Sequence, residues 1–370
     1  MIVLFHSRGL FGFGQFTLWT GRAVSFFFVL SGFILAYVYP ELKGLEASCR
    51  FLLGRFARLW PAHVVAFILV LLFLPSSQWR HPGWPWAMVA NLSMIHAWIP
   101  LPSFFFSYNW SSWFISAEFF LYLCFPLLIY RWNRTWLAKL LLTFALVIII
   151  VSISNVLHLP PYVGGQNNVS ISGVLNFNPL SCLPEFVFGM SLALIWTKMS
   201  HIRYRGMLFG TLIEIAAIGL VVCSMHFTPQ LAELARKGLL GGSDAGYVWI
   251  NKVCSAPFFG ILILVMALEK GLISRLLSFP FAVLLGELSY SIYLLHQVLL
   301  RYYQVHLSVF SEVPGYLAYT IFWVILLLLA HLMFNCVEKP CRQFIIRLWP
   351  MKPINDSDSP PLEQFEQPLI

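Results

Sequence analysis

A carboxylate and an imidazole stand out in a chain that otherwise reads as lipid-soluble. Glu118 lies inside SSWFISAEFFLYLCF, Ser111 to Phe125, and His6 lies inside MIVLFHSRGL. An acidic side chain near a bilayer centre costs roughly 2.5–3.5 kcal/mol on insertion scales, so it faces a polar cavity or a partner. Ser111 and Tyr122 share the helical face of Glu118. Neutral imidazole is a base near neutral pH, the chemistry needed to take a proton from a hydroxyl. Each residue alone also fits a structural role: a packed histidine, or a carboxylate tying two helices together. Glu185 and Glu214 are two further carboxylates in apolar segments.

Three other stretches carry candidate chemistry. In FFFVLSGFILAYVY, Phe26 to Tyr39, Ser31 and Gly32 interrupt an aromatic helix with small residues, as close helix packing requires. In RFARLWPAH, Arg55 and Arg58 are three apart and project from one helical face. Paired guanidinium groups either grip the phosphates of a nucleotide-bearing donor or anchor the membrane edge. In GELSYSIYLLHQVLL, Ser289, Tyr293 and His296 are spaced as a polar stripe along one face of an apolar span. Such a stripe lines a cavity or knits a bundle together.

The elements that must position these residues are membrane helices. The chain has 370 residues, 59% hydrophobic and 10% charged. Soluble domains carry roughly 25% charged residues. Spans of about 20 apolar residues are expected near 22–39, 61–75, 112–130, 136–156, 178–196, 206–226, 249–268, 280–300 and 315–337. Lipid offers open backbone groups no partner, so each span is helical.

Basic residues cluster between alternate spans: Lys43, Arg50, Arg55 and Arg58; Arg131, Arg134 and Lys139; Lys198, Arg203 and Arg205; Lys270 and Arg275. Lys339, Arg342, Arg347 and Lys352 follow the last span. The positive-inside rule makes these loops and the C-terminus cytoplasmic. The net charge of +8 is thereby explained by topology, and nucleic acid is not an expected partner. The segment Trp86 to Pro100 is moderately apolar, but crossing there would invert every later loop. It is expected to be interfacial or re-entrant, with Trp84, Trp86 and Trp98 at headgroup level. No His/Cys metal spacing occurs, and no metal site is expected. One membrane domain, 1–349, and a disordered cytoplasmic tail, 350–370, are expected from composition.

Taken in order, VLFHS, FFFVLSGF, RFARLWP, WFISAEFFLYLCFPLL, LPEFVFGM, GELSYSIYLLH and VEKP resemble the membrane-bound acyltransferase-3 family of O-acyltransferases. The resemblance runs through the chain apart from its tail. It implies an all-α integral membrane protein, a bundle of about ten transmembrane helices with the first truncated at the N-terminus. It also implies a cytosolic acyl-CoA donor, with acetyl-CoA the expected co-substrate, no bound cofactor, and a hydroxyl of a surface or lipid-linked glycan as acceptor. Members carry a basic residue about ten positions before this histidine, whereas only Met1 to Phe5 precede His6 here. The expectation is a chain that starts inside its first helix.

On this reading His6 is the base and Glu118 orients it and stabilises the imidazolium. Arg55 and Arg58 match the family's RxxR and would hold the coenzyme A phosphates. Ser31, Tyr122, Ser289, Tyr293 and His296 would line the cavity. The expected location is the cytoplasmic (inner) membrane, in contact with the bilayer, acyl-CoA and a glycan or other hydroxyl acceptor. A multi-span transporter and a catalytically impaired acyltransferase-like protein are the competing readings.

Overall fold

The computed structural model describes residues 2–12, 22–162, 164–165, 167–199, 206–238, 241–310 and 312–348. The expected tail, 350–370, and the basic residues Arg203, Arg205 and Lys352 lie outside the described residues. Those residues form helices and connections, with no strand among them. Lipid selects for this, because a helix pairs its backbone groups within one segment.

In chain order the helices are α1 (Ile2–His6), α2 (Ala23–Val38), α3 (Gly44–Phe73), α4 (Trp84–Leu92) and α5 (Pro102–Phe105). They continue with α6 (Trp113–Ile129), α7 (Trp132–Val156), α8 (Leu183–Met199), α9 (Met207–Gly238) and α10 (Asp244–Val253). The last are α11 (Ala256–Ala267), α12 (Leu272–Leu277), α13 (Pro280–Val305), α14 (Gly315–Met333) and α15 (Lys339–Leu348). Among the described residues, seven helical segments are long and apolar enough to cross a membrane, α10 with α11 and α14 with α15 each counting as one. The shorter apolar helices α2 and α6, with the brief α1, complete a bundle of about ten.

Each of the nine expected spans holds a helix, but the second was read too short. The 61–75 stretch is the far half of α3, a 30-residue helix that carries Arg55 and Arg58 in its first half and Pro61 inside it. Hydropathy cut the helix where its charges begin; the backbone continues past them. Between α3 and α6 the chain does not cross. The nine residues of α4 span roughly 14 Å, half of a hydrocarbon core. The segment then turns back on itself at Met94 and Tyr108, both buried and both in the left-handed region at φ 55° and 56°.

Exposed Leu141, Leu142, Ile148 and Ile149 on α7 show that the outer surface is as apolar as the interior. The core gathers Phe28, Val29, Ile115, Phe125, Phe186 and Met190 from α2, α6 and α8. Close backbone approach holds α2 against α8. A Cβ on Gly32 would stand 2.0 Å from the Phe186 carbonyl oxygen, and one on Gly189 2.0 Å from that of Val29. Gly32 is therefore a packing residue, as the small-residue pattern suggests.

Candidate active site

Two histidines from opposite ends of the chain meet inside the bundle. His6 closes α1, and its Nδ1 lies 2.9 Å from Nε2 of His296 on α13. The ring centroids are 5.1 Å apart and the planes 15° apart, so the contact runs edge to edge between nearly coplanar rings. The other nitrogen of His296, Nδ1, lies 2.6 Å from the carbonyl oxygen of Tyr293, one turn back on α13. Nε2 of His6 has no hydrogen-bond partner among the described residues, and the residue is only partly buried.

The re-entrant segment braces this end of α13. The Tyr293 hydroxyl donates to the Ser111 carbonyl at 2.9 Å, and Asn109 Nδ2 donates to the Leu294 carbonyl at 2.9 Å. Ser111 Oγ sits 3.0 Å from Asn109 Oδ1 and 3.3 Å from the Tyr293 carbonyl oxygen, with one proton to give. Behind it, Asn91 Nδ2 donates to Ser107 and Ser112, and Ser112 Oγ lies 3.1 Å from His96 Nε2. His63 Nε2 meets the Asn91 carbonyl at 2.9 Å.

Glu118 is not part of the histidine pair. Its Oε1 accepts from Tyr122 at 2.5 Å and from Ser31 at 3.3 Å, and it makes no hydrogen bond to His6. The expected Glu118–His6 contact is thus replaced by His296–His6. Depth is the physical reason. Glu118 lies seven residues past Ser111, roughly 10 Å further along the α6 axis, while Ser111 is level with Tyr293. The two other carboxylates have structural duties. Glu214 accepts from the backbone N–H groups of Gly271 and Ile273 at the start of α12, at 3.0 and 2.8 Å. Glu185 is held by Ser25 and Lys252.

The Glu118 group adjoins the two arginines instead. Arg55 donates to the Tyr39 hydroxyl at 3.2 Å and lies over the rings of Phe51 and Tyr122, at 5.4 and 5.8 Å. Flat guanidinium groups favour such faces. Arg58 follows three residues later on the same helix and makes no ion pair among the described residues. Tyr290 ties α13 to α3 here, donating to the Leu59 carbonyl at 2.7 Å, and Ser291 donates to Glu338.

The site therefore has two stations: Arg55, Arg58, Glu118, Tyr122 and Ser31 at one level, His6 and His296 at the other, with Tyr293 between them. The expected stripe on α13 divides by exposure. Tyr293 and His296 face this line, whereas Ser289 is exposed and hydrogen-bonds none of it; Tyr290 and Ser291 point inward instead. Tyr290, Glu338 and Asn109 gave no sign of their roles in the sequence, nor did the buried Arg301, whose guanidinium donates to the Tyr108 and Gln78 carbonyls and lies 4.6 Å from the Trp110 ring. Arg301 was marked only as a charge inside an apolar run, the same signal that marked Glu118.

Comparison with known proteins accords with this architecture. Residues 1–332 match the acyltransferase-3 family model, described as an acyltransferase domain. The chain belongs to the acyltransferase-3 family. Among this family's curated members, Acyltransferase MdmB of Streptomyces mycarofaciens is 31% identical over 294 residues, 76% of this chain and 68% of the relative. No solved structure matches the chain. Family membership makes the protein a multi-pass membrane acyltransferase. It also sets aside the transporter reading, since the match covers residues 1–332.

Proposed function

We propose that this acyltransferase moves an acyl group, acetyl in the first instance, from cytosolic acyl-CoA to a hydroxyl of a surface or lipid-linked glycan. The observation that carries the reading is the His6–His296 pair, which leaves His6 Nε2 without a hydrogen-bond partner among the described residues, in a bundle whose α3 carries Arg55 and Arg58. Acyl-CoA is the co-substrate, with its phosphates at Arg55 and Arg58, where guanidinium groups offer charge-assisted bonds. Glu118 holds the Tyr122 and Ser31 hydroxyls beside that grip and acts as a positioning residue. His6 takes the proton of the acceptor hydroxyl as its oxygen attacks the thioester carbonyl. The C–S bond then breaks, and the departing thiolate recovers the proton. Transfer is direct on this scheme, because Ser31 points its hydroxyl at a carboxylate on the donor side rather than at a histidine.

The two stations lie at different depths, which suits a donor and an acceptor arriving from opposite faces. The arginine end is the basic end of the bundle, so the reading places it in the cytoplasm of an inner-membrane protein. A green fluorescent protein fused after Leu348 should fluoresce, and alkaline phosphatase inserted at Gly165 should be active; the reverse pattern rejects the orientation.

The direct test is release of free thiol from acetyl-CoA by the purified, bilayer-reconstituted protein, with and without a hydroxylated glycan. Glycan-dependent release that disappears in His6→Ala supports the reading. Release at equal rates from wild type and His6→Ala rejects it.

A further inference from the structure

We infer that His296 is a positioning residue that decides which nitrogen of His6 serves as the base. The inference rests on His6 being that base, as proposed above. It follows from who can donate to whom. A carbonyl oxygen has no proton to give, so His296 Nδ1, 2.6 Å from the Tyr293 carbonyl oxygen, must carry one. In an uncharged ring, the state favoured in an apolar bundle, Nε2 of His296 is then a bare acceptor. It faces His6 Nδ1 at 2.9 Å, so that nitrogen must donate. The lone pair of His6 is left on Nε2, the nitrogen with no partner among the described residues.

A free neutral imidazole side chain favours its proton on Nε2, the arrangement that would be unreactive here. His296 reverses that preference by supplying an acceptor to Nδ1–H and nothing to Nε2. The carbonyl that anchors His296 is itself held. Ser111 Oγ lies 3.3 Å from it, the Tyr293 hydroxyl grips the Ser111 carbonyl, and Asn109 grips the Leu294 carbonyl. The re-entrant segment thus sets the ring angle of His296, and through it the tautomer of His6.

In the reaction the acceptor O–H bond breaks and its proton passes to His6 Nε2 while the new C–O bond forms. His6 is then an imidazolium whose Nδ1–H bond to His296 is charge-assisted and correspondingly stronger. Breaking the C–S bond returns the proton to the thiolate, and the pair regains its starting tautomers. His296 touches no reacting atom.

The test uses the full chain in bilayers, with His6→Ala, His296→Leu and His296→Gln. His296→Leu should lower kcat roughly 100-fold, with the acetyl-CoA KM unchanged within about twofold. His296→Gln still offers an oxygen to His6 Nδ1–H and should recover turnover to within about tenfold of wild type. Solid-state ¹⁵N spectra of histidine-labelled protein, with His6 assigned by its loss in His6→Ala, give a readout independent of turnover. Neutral His6 should be Nδ1-protonated in wild type and in His296→Gln, and Nε2-protonated in His296→Leu. An unchanged His6 tautomer in His296→Leu, or wild-type kcat in that variant, overturns the inference. Full activity in His6→Ala instead removes the base itself; loss there with wild-type turnover in His296→Leu removes only the positioning role.

Discussion

Lys252 on α10 stands 3.5 Å from Glu185 on α8, an ion pair enclosed by the bundle. The ammonium also donates to the carbonyls of Leu175 and Ser181, at 3.1 and 3.3 Å, and Ser25 donates to the other carboxylate oxygen. One lysine therefore pins the 175–182 connection to α8. The ammonium is hydrogen-bonded throughout, whereas Glu185 Oε2 has the ion pair alone to offset its burial.

Breaking the pair from one side should be costly. Glu185→Gln or Lys252→Met alone is expected to destabilise the protein by about 3–5 kcal/mol, because each strands a buried charge. The double variant should cost clearly less than the sum. Thermal unfolding of the four proteins in one detergent checks this, and strict additivity would deny the coupling.

The donor grip should be read in KM. Arg55→Ala with Arg58→Ala is expected to raise the acetyl-CoA KM by at least about tenfold, with a smaller change in kcat. The variant should also lose the preference for acetyl-CoA over its dephosphorylated analogue. Arg55→Lys should rescue poorly, since the Phe51 and Tyr122 faces suit a flat guanidinium. Steady-state kinetics with both thioesters separates these outcomes; a pure kcat loss argues against phosphate binding.

Glu118→Ala should behave as a donor-side lesion. Its partners are Tyr122 and Ser31, so kcat/KM for acetyl-CoA is expected to fall about 100-fold. The His6 tautomer should stay as in wild type, because no hydrogen bond joins the two groups. A ¹⁵N spectrum in which Glu118→Ala switches His6 would couple the stations after all.

Gly189→Ala and Gly54→Ala form a matched pair. A Cβ at Gly189 meets the Val29 carbonyl at 2.0 Å, whereas one at Gly54 has nothing within 4 Å. Gly189→Ala should push α2 from α8 and cost about 3 kcal/mol or more. Gly54→Ala should be neutral or stabilise by up to about 1 kcal/mol. The yield of monodisperse protein on gel filtration, with melting temperature, reads both; equal behaviour would refute the close contact.

Much of the architecture was legible before any coordinates. Partition into lipid depends on a local sum over about 20 residues, so each span can be found without knowing its neighbours. The arginine pair was legible for a similar reason: three-residue spacing places Arg55 and Arg58 on one face whatever surrounds them. The order of short motifs was enough to indicate the acyltransferase-3 family. The start of α3 was not, because a hydropathy sum stops at charges through which a helix continues.

Pairing between helices belonged to the tertiary structure alone. Helices apolar on every side carry no stripe to say which face turns inward, or how deep one side chain lies against another. Ser289 and Tyr290 are neighbours in sequence, yet only rotation of α13 puts Tyr290 inside and Ser289 out. Glu118 looked like the partner of His6 because both are rare polar groups in apolar runs. Relative depth gave that place to His296, 290 residues away along the chain, and left Glu118 with Tyr122 and Ser31 beside the arginines.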